Sequence, residues 1–109
     1  MHEIADIACN FTSDRFNNDI DEVINKAINN KVVKFALICS QLSDIDKLLE
    51  IYHQYSKSMF FTIGVHPHHA NEINDNYLKK LRELVTSYNP HAIGETGLDF
   101  FRNLSTYEE

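Results

Sequence analysis

The sequence contains no tryptophan and, in 109 residues, only two cysteines, two prolines and three glycines. Each shortage excludes something. Cys9 and Cys39 are too few and too far apart for a disulfide framework or a zinc knuckle. Both lie in apolar runs, where free buried thiols are expected, and that usage points to the cytoplasm. No low-complexity tract, residue-level repeat or linker interrupts the chain. No apolar run approaches the length of a membrane span. The opening Met1-His-Glu-Ile-Ala-Asp6 has no basic region followed by an apolar one, so no signal peptide is expected. Basic residues are also scarce: ten Lys and Arg stand against sixteen Asp and Glu, for a net charge of −6. The ten are scattered, so no basic patch forms. This argues against a module that grips nucleic acid by phosphate contacts alone. It does not exclude an enzyme in which a bound cation offsets the repulsion.

What is present suits one small domain with its own core: 43% apolar and 24% charged residues. Ile4–Cys9 reads as a first strand. Ile20, Val23, Ile24, Ala27 and Ile28 recur at helical spacing, with Phe16 as a staple, Asn17 or Asn18 as a cap and Asn29-Asn30 as a stop. Lys31–Cys39 is almost continuously apolar and predicts a strand buried on both faces. Ser43 would cap a second helix whose stripe is Ile45, Leu48, Leu49 and Tyr52. Met59–Val65 predicts the third strand and His66–Asn74 a loop broken by Pro67. A third helix opens at Asn74 or Asp75, carries Tyr77, Leu78, Leu81, Leu84, Val85 and Tyr88, and ends at Asn89-Pro90. His91–Gly94 is the fourth strand.

Alternating strands and helices predict a parallel α/β sheet with right-handed crossovers. All strands then end on one face, where ligands bind in such folds. Asn10, Ser40, His66 and Glu95 each follow a strand, so order alone gathers them at one rim. Glu95 stands out. A carboxylate framed by Gly94 and Gly97 at the end of an apolar strand serves no packing purpose, and burying it unpaired is costly. Its natural partner is a metal ion or another cation. The structural alternative is a pair with Arg102 or a turn cap.

Three segments carry a resemblance. Ile93-Gly-Glu-Thr-Gly-Leu-Asp99, Asp6-Ile-Ala-Cys-Asn-Phe-Thr12 and Gly64-Val-His-Pro-His68 resemble, in order, motifs of the TatD family of metal-dependent deoxyribonucleases. The resemblance runs from about Ile4 to Glu109. It implies the N-terminal half of a (β/α)8 TIM-type barrel, four parallel strands alternating with helices. Residues 1–109 would form a single TatD-like domain truncated after the fourth strand, since a whole barrel takes roughly 250 residues. The spacing of Ser105-Thr-Tyr-Glu108 is that of a capping box, a helix start without its body.

The resemblance also implies chemistry: phosphodiester hydrolysis of DNA, single-stranded by expectation, with a divalent cation. Glu95 would be a metal ligand. His66 would sit in the active site as a proton shuttle or a donor to phosphate; otherwise it is a loop histidine held by backbone. Asn10 and Arg102 would contact substrate. Asn10 also reads as a turn residue bonding its own backbone, and Arg102 as a partner of Asp99. Ala8 and Asn10 replace the His-x-His of the wider superfamily. An amide oxygen there suits magnesium or manganese rather than zinc. The family's later ligands have no counterpart before Glu109, so the isolated chain is expected to show little activity. The alternative is a non-catalytic half-barrel that associates with another chain through its open sheet edges.

Overall fold

Side-chain alternation along the strands sets the architecture. The computed structural model describes residues 2–102. Strands β1 (Ile4–Cys9), β2 (Val32–Leu37), β3 (Met59–Ile63) and β4 (Ala92–Ile93) lie parallel in the order β1-β2-β3-β4. Helices α1 (Ile20–Asn29), α2 (Ile45–Gln54) and α3 (Tyr77–Tyr88) connect them. Strand order that follows chain order is the barrel arrangement, without the reversal that marks a doubly wound sheet. The chain is a half-barrel, as the resemblance implies, built on the parallel sheet that its pattern predicts.

Phe35, Leu37 and Cys39 along β2 and its exit are buried, as are Met59, Phe61 and Ile63 of β3. They pack with Ile24 of α1 and with Ile45, Leu48, Leu49 and Ile51 of α2. The intervening residues differ. Lys34, Ala36, Ile38 and Thr62 are half-buried and Phe60 is exposed. The expectation that β2 is buried on both faces is therefore corrected. In β2 and β3 one face carries the helix contacts and the other keeps access to solvent, whereas β1 is exposed up to Cys9 and both residues of β4 are exposed. Lys34 shows the consequence. Its ammonium donates to the Lys57 carbonyl at 2.7 Å and lies 5.4 Å from the centre of the Phe60 ring.

The expected helix caps also differ. Short 3-10 turns, Asp14–Phe16 and Leu42–Asp44, lead into α1 and α2. Before α2 the i→i+3 bond from the Ile45 N–H to the Leu42 carbonyl takes up an amide that a side chain would otherwise cap. Asp19, Asp44 and Asn76 precede the three helices and none makes a side-chain cap. Ser43 lies inside the second turn, and Asn74 accepts instead from the Asn76 N–H at 2.9 Å. The stops match better. Asn89 takes the left-handed conformation at φ 51° and Pro90 follows. After α1, Asn30 donates its side-chain amide to the Lys26 carbonyl, and Lys31 turns with φ 72°.

The loop expected at His66–Asn74 contains a six-residue 3-10 helix, Pro67–Glu72. Strands two, three and four are each shorter than their apolar runs. The Ser105–Glu108 capping box lies outside the described residues. Among those described, no helix is long and apolar enough to cross a membrane.

Candidate functional site

The strand exits meet as the alternation requires. The His66 N–H donates to the Ser40 carbonyl at 2.8 Å, and the Gly94 N–H to the Ile63 carbonyl at 3.0 Å. The Glu95 N–H donates to the Cys39 carbonyl at 3.1 Å. That last bond is unexpected. In the sheet β3 stands between β2 and β4, yet beyond their ends these two strands touch. Gly64 explains it. A Cβ there would fall on the Glu95 carbonyl and stand 2.6 Å from the Gly94 carbonyl oxygen. Without a side chain at 64, the two backbones close over β3. The Gly94–Glu95 peptide bond is cis, and Gly97 sits at φ 140°, a region that essentially only glycine tolerates. Because the atoms met at Gly64 are backbone, they cannot swing aside. Gly64→Ala should destabilise the chain by about 1–3 kcal/mol, read from urea unfolding. An unchanged midpoint would show that the rim relaxes freely.

The Glu95 and His66 side chains face each other, with Oε1 3.8 Å from Nε2. Both are partly exposed. His66 is held from behind: its Nδ1 accepts the His68 N–H at 3.0 Å and so caps the 3-10 helix. In the neutral ring the proton then sits on Nε2, the atom aimed at Glu95. His66 thus presents a donor to the rim, not a lone pair for a cation. At 3.8 Å the two groups are beyond hydrogen-bond range, so neither saturates the other.

The exit of β4 is latched onto the same turn. His68 Nε2 lies 3.5 Å from Asp99 Oδ2. The Asp99 carboxylate also accepts from the backbone N–H groups of Phe101 and Arg102. Asp99 therefore meets Arg102 through its backbone amide, and among the described residues no ion pair joins the Arg102 guanidinium to Glu95 or Asp99. Arg102 is exposed. Asn10 closes a turn, its carbonyl accepting from the Ser13 N–H at 3.2 Å. With Ser40, Gln41 and His69 it lines a polar cavity of about 210 Å³. His69 lies 3.4 Å from the Glu72 carboxylate.

The cysteines are core residues. Burial first, and then the neighbouring Asp6, push the Cys9 thiol up to about 12; burial likewise raises Cys39. Thiols so protected from ionisation are poor ligands and nucleophiles. His91 belongs to the opposite end of β4. Its Nδ1 accepts the Phe61 N–H, and its ring packs against Tyr52, Phe60 and Phe61.

One residue went unnoticed in the sequence. The Thr62 hydroxyl accepts the Cys39 N–H at 3.2 Å and donates to the Gly94 carbonyl at 2.7 Å. A hydroxyl inside an otherwise apolar strand was the available signal. For a cation, the rim offers the Glu95 carboxylate as an anionic oxygen. Among the described residues no group of three or more His, Cys, Asp or Glu could hold one ion.

The comparisons with known proteins agree with this arrangement. The family model described as TatD related DNase matches residues 5–109. The 3'-5' ssDNA/RNA exonuclease TatD of Cronobacter turicensis is 38% identical over 95% of this chain and 39% of its own length. Its counterpart from Erwinia tasmaniensis is also 38% identical, over 95% of this chain and 40% of its own. The crystal structure of a hydrolase TatD family protein from Entamoeba histolytica superposes with a TM-score of 0.85 at 31% identity. It matches 98% of this chain and 42% of that protein. The chain thus spans less than half the length of these relatives. With three motifs in order, strands in barrel order and a family match over nearly every residue, the chain belongs to the TatD related DNase family.

Proposed function

We propose that this chain supplies part of a metal-dependent phosphodiesterase centre acting on single-stranded nucleic acid. The carrying observation is the Glu95–His66 pair at the shared rim. Glu95 fits a divalent cation as one anionic ligand. The donors at hand are oxygens, which favours magnesium or manganese over zinc. When bound, the cation would draw electron density from a phosphodiester phosphate. His66 donates from Nε2 to a phosphate oxygen or moves a proton there, with its ring fixed by the His68 amide. Asn10 borders the polar cavity beside the rim and can meet a sugar or base. Arg102 can fork onto a phosphate farther along the strand. The substrate class follows the relatives, named as exonucleases of single-stranded DNA and RNA.

The described residues provide too few ligands to complete the centre, since a catalytic metal site takes about three from the protein. The 109-residue chain alone should therefore release no nucleotides from single-stranded DNA with magnesium or manganese. A chimera in which it replaces the matching stretch of the Cronobacter exonuclease should do so. Activity of the chain alone, abolished by Glu95→Ala, would overturn the ligand shortage. A folded but inert chimera would overturn the functional reading. A second reading is a non-catalytic half-barrel that associates through its edges. It is favoured by Ile7 on β1 and Ile93 on β4, which are 82% and 53% exposed on the two outermost strands. Sedimentation of the chain over a range of concentrations separates the two.

A further inference from the structure

We infer that Thr62 is a positioning residue for Glu95, a role that rests on the metal-ligand reading above. Three facts converge on its hydroxyl. It lies on β3, between the strands whose exits must be brought together. It accepts the Cys39 N–H from β2 and donates to the Gly94 carbonyl from β4. The carbonyl it holds belongs to the peptide unit that also contains the Glu95 nitrogen. That nitrogen in turn donates to the carbonyl of the same Cys39. Cys39 thus gives its N–H to Thr62 and its C=O to Glu95, and Thr62 grips the carbonyl of Gly94. The hydrogen bonds form a ring through three strand exits.

The ring fixes the backbone from which the Glu95 side chain departs. Gly64 removes the steric barrier to this closure, and Thr62 supplies the attachment. Of the common side chains only serine and threonine offer a short hydroxyl able to accept from one backbone and donate to another. Valine keeps the shape of threonine and loses both bonds. The Cys39 amide and the Gly94 carbonyl would then be left without this partner in a part-buried place.

The test is amide hydrogen exchange on the 109-residue chain, followed residue by residue by NMR, for wild type, Thr62→Val and Thr62→Ser. Exchange at Glu95 and Cys39 should quicken about tenfold in the valine variant, the factor that one hydrogen bond of ordinary net strength represents. Amides at the far end of the sheet, such as that of Ile4, which donates to the Lys31 carbonyl, should not change. Serine should restore the wild-type rate. Equal exchange in all three would overturn the inference, as would a serine variant that behaves like valine, since the methyl group would then carry the effect. If the valine variant does not fold, Thr62→Ala compared with Thr62→Ser decides in the same way.

Paramagnetic broadening by manganese provides the second readout. Signals of Glu95 should broaden at lower metal concentration in wild type and Thr62→Ser than in Thr62→Val. Equal concentrations in all three would mean that the hydroxyl does not position the carboxylate. Broadening that survives Glu95→Gln would instead defeat the metal reading of Glu95, while the exchange rates would still decide whether Thr62 holds its backbone.

Discussion

Exchange of Glu95 for glutamine in the Cronobacter chimera will lower hydrolysis at limiting metal by about a hundredfold or more. Residues that merely support metal ligands cost up to about that factor when changed, and Glu95 is proposed as a ligand itself. Glutamine keeps the length of the side chain and its remaining oxygen but loses the negative charge. The fold should not notice. The Glu95 side chain is 33% exposed, and the His66 ring that faces it stands 3.8 Å away, beyond hydrogen-bond range. Its backbone bond to Cys39 is independent of the side chain. Circular dichroism and the urea midpoint should therefore match the parent, because surface substitutions usually stay within about 0.5 kcal/mol. Added manganese should recover part of the loss, as expected when affinity is what has fallen. Full activity at limiting metal would make Glu95 a structural residue. A chimera that unfolds would mean that the rim needs the charge for stability.

The largest effect on stability is expected at Phe35. Its ring is 1% exposed and lies 6.0 Å, centre to centre, from Phe11, which in turn meets Phe16 edge-on at 5.3 Å. This row joins β2 to the exit of β1 and to the turn before α1. Phe35→Ala removes its anchor, and phenylalanine-to-alanine changes in cores cost about 3–5 kcal/mol. A domain of ordinary stability has about 5–15 kcal/mol in all. With a urea slope of about 1–3 kcal/mol/M, the midpoint should fall by at least about 1 M, or the transition should vanish. Phe35→Leu, which leaves a smaller void, should lose less. A midpoint unmoved by alanine would mean that the half-barrel core is loose enough to collapse into the gap.

The parts of this molecule that repeat were legible in its sequence. Phe35, Leu37, Phe61 and Ile63 alternate as strands do, Leu48 and Leu49 fall on a helical stripe, and Asn89-Pro90 stops a helix where such a pair should. Those patterns, in order, were enough to place His66 and Glu95 at one rim. The helix entrances were not legible. A serine followed by an acid, as at Ser43 and Asp46, looks like a capping box whether or not a 3-10 turn displaces it. The two-sided burial expected of β2 failed because an apolar run does not say how many layers cover it. His66 was found through its motif, but the direction of its proton needed the His68 amide. Thr62 and the closure over Gly64 depend on backbone groups far apart in the chain, and no local pattern encodes such a meeting.

The bond between Cys39 and Glu95 spans more than half of the chain, so the place of Glu95 depends on residues remote from it in sequence. The fourth strand pairs through only Ala92 and Ile93, too short a ladder to persist without the third. Its exit also rests on the exit of the second strand, beside Gly64. Long loops must close before contacts of this kind return any free energy. The acidic end of the fourth strand is therefore expected to open more readily than the second and third strands. Loosening of either neighbouring strand would thus be felt at Glu95, the group proposed to hold a cation, because its backbone is anchored to both.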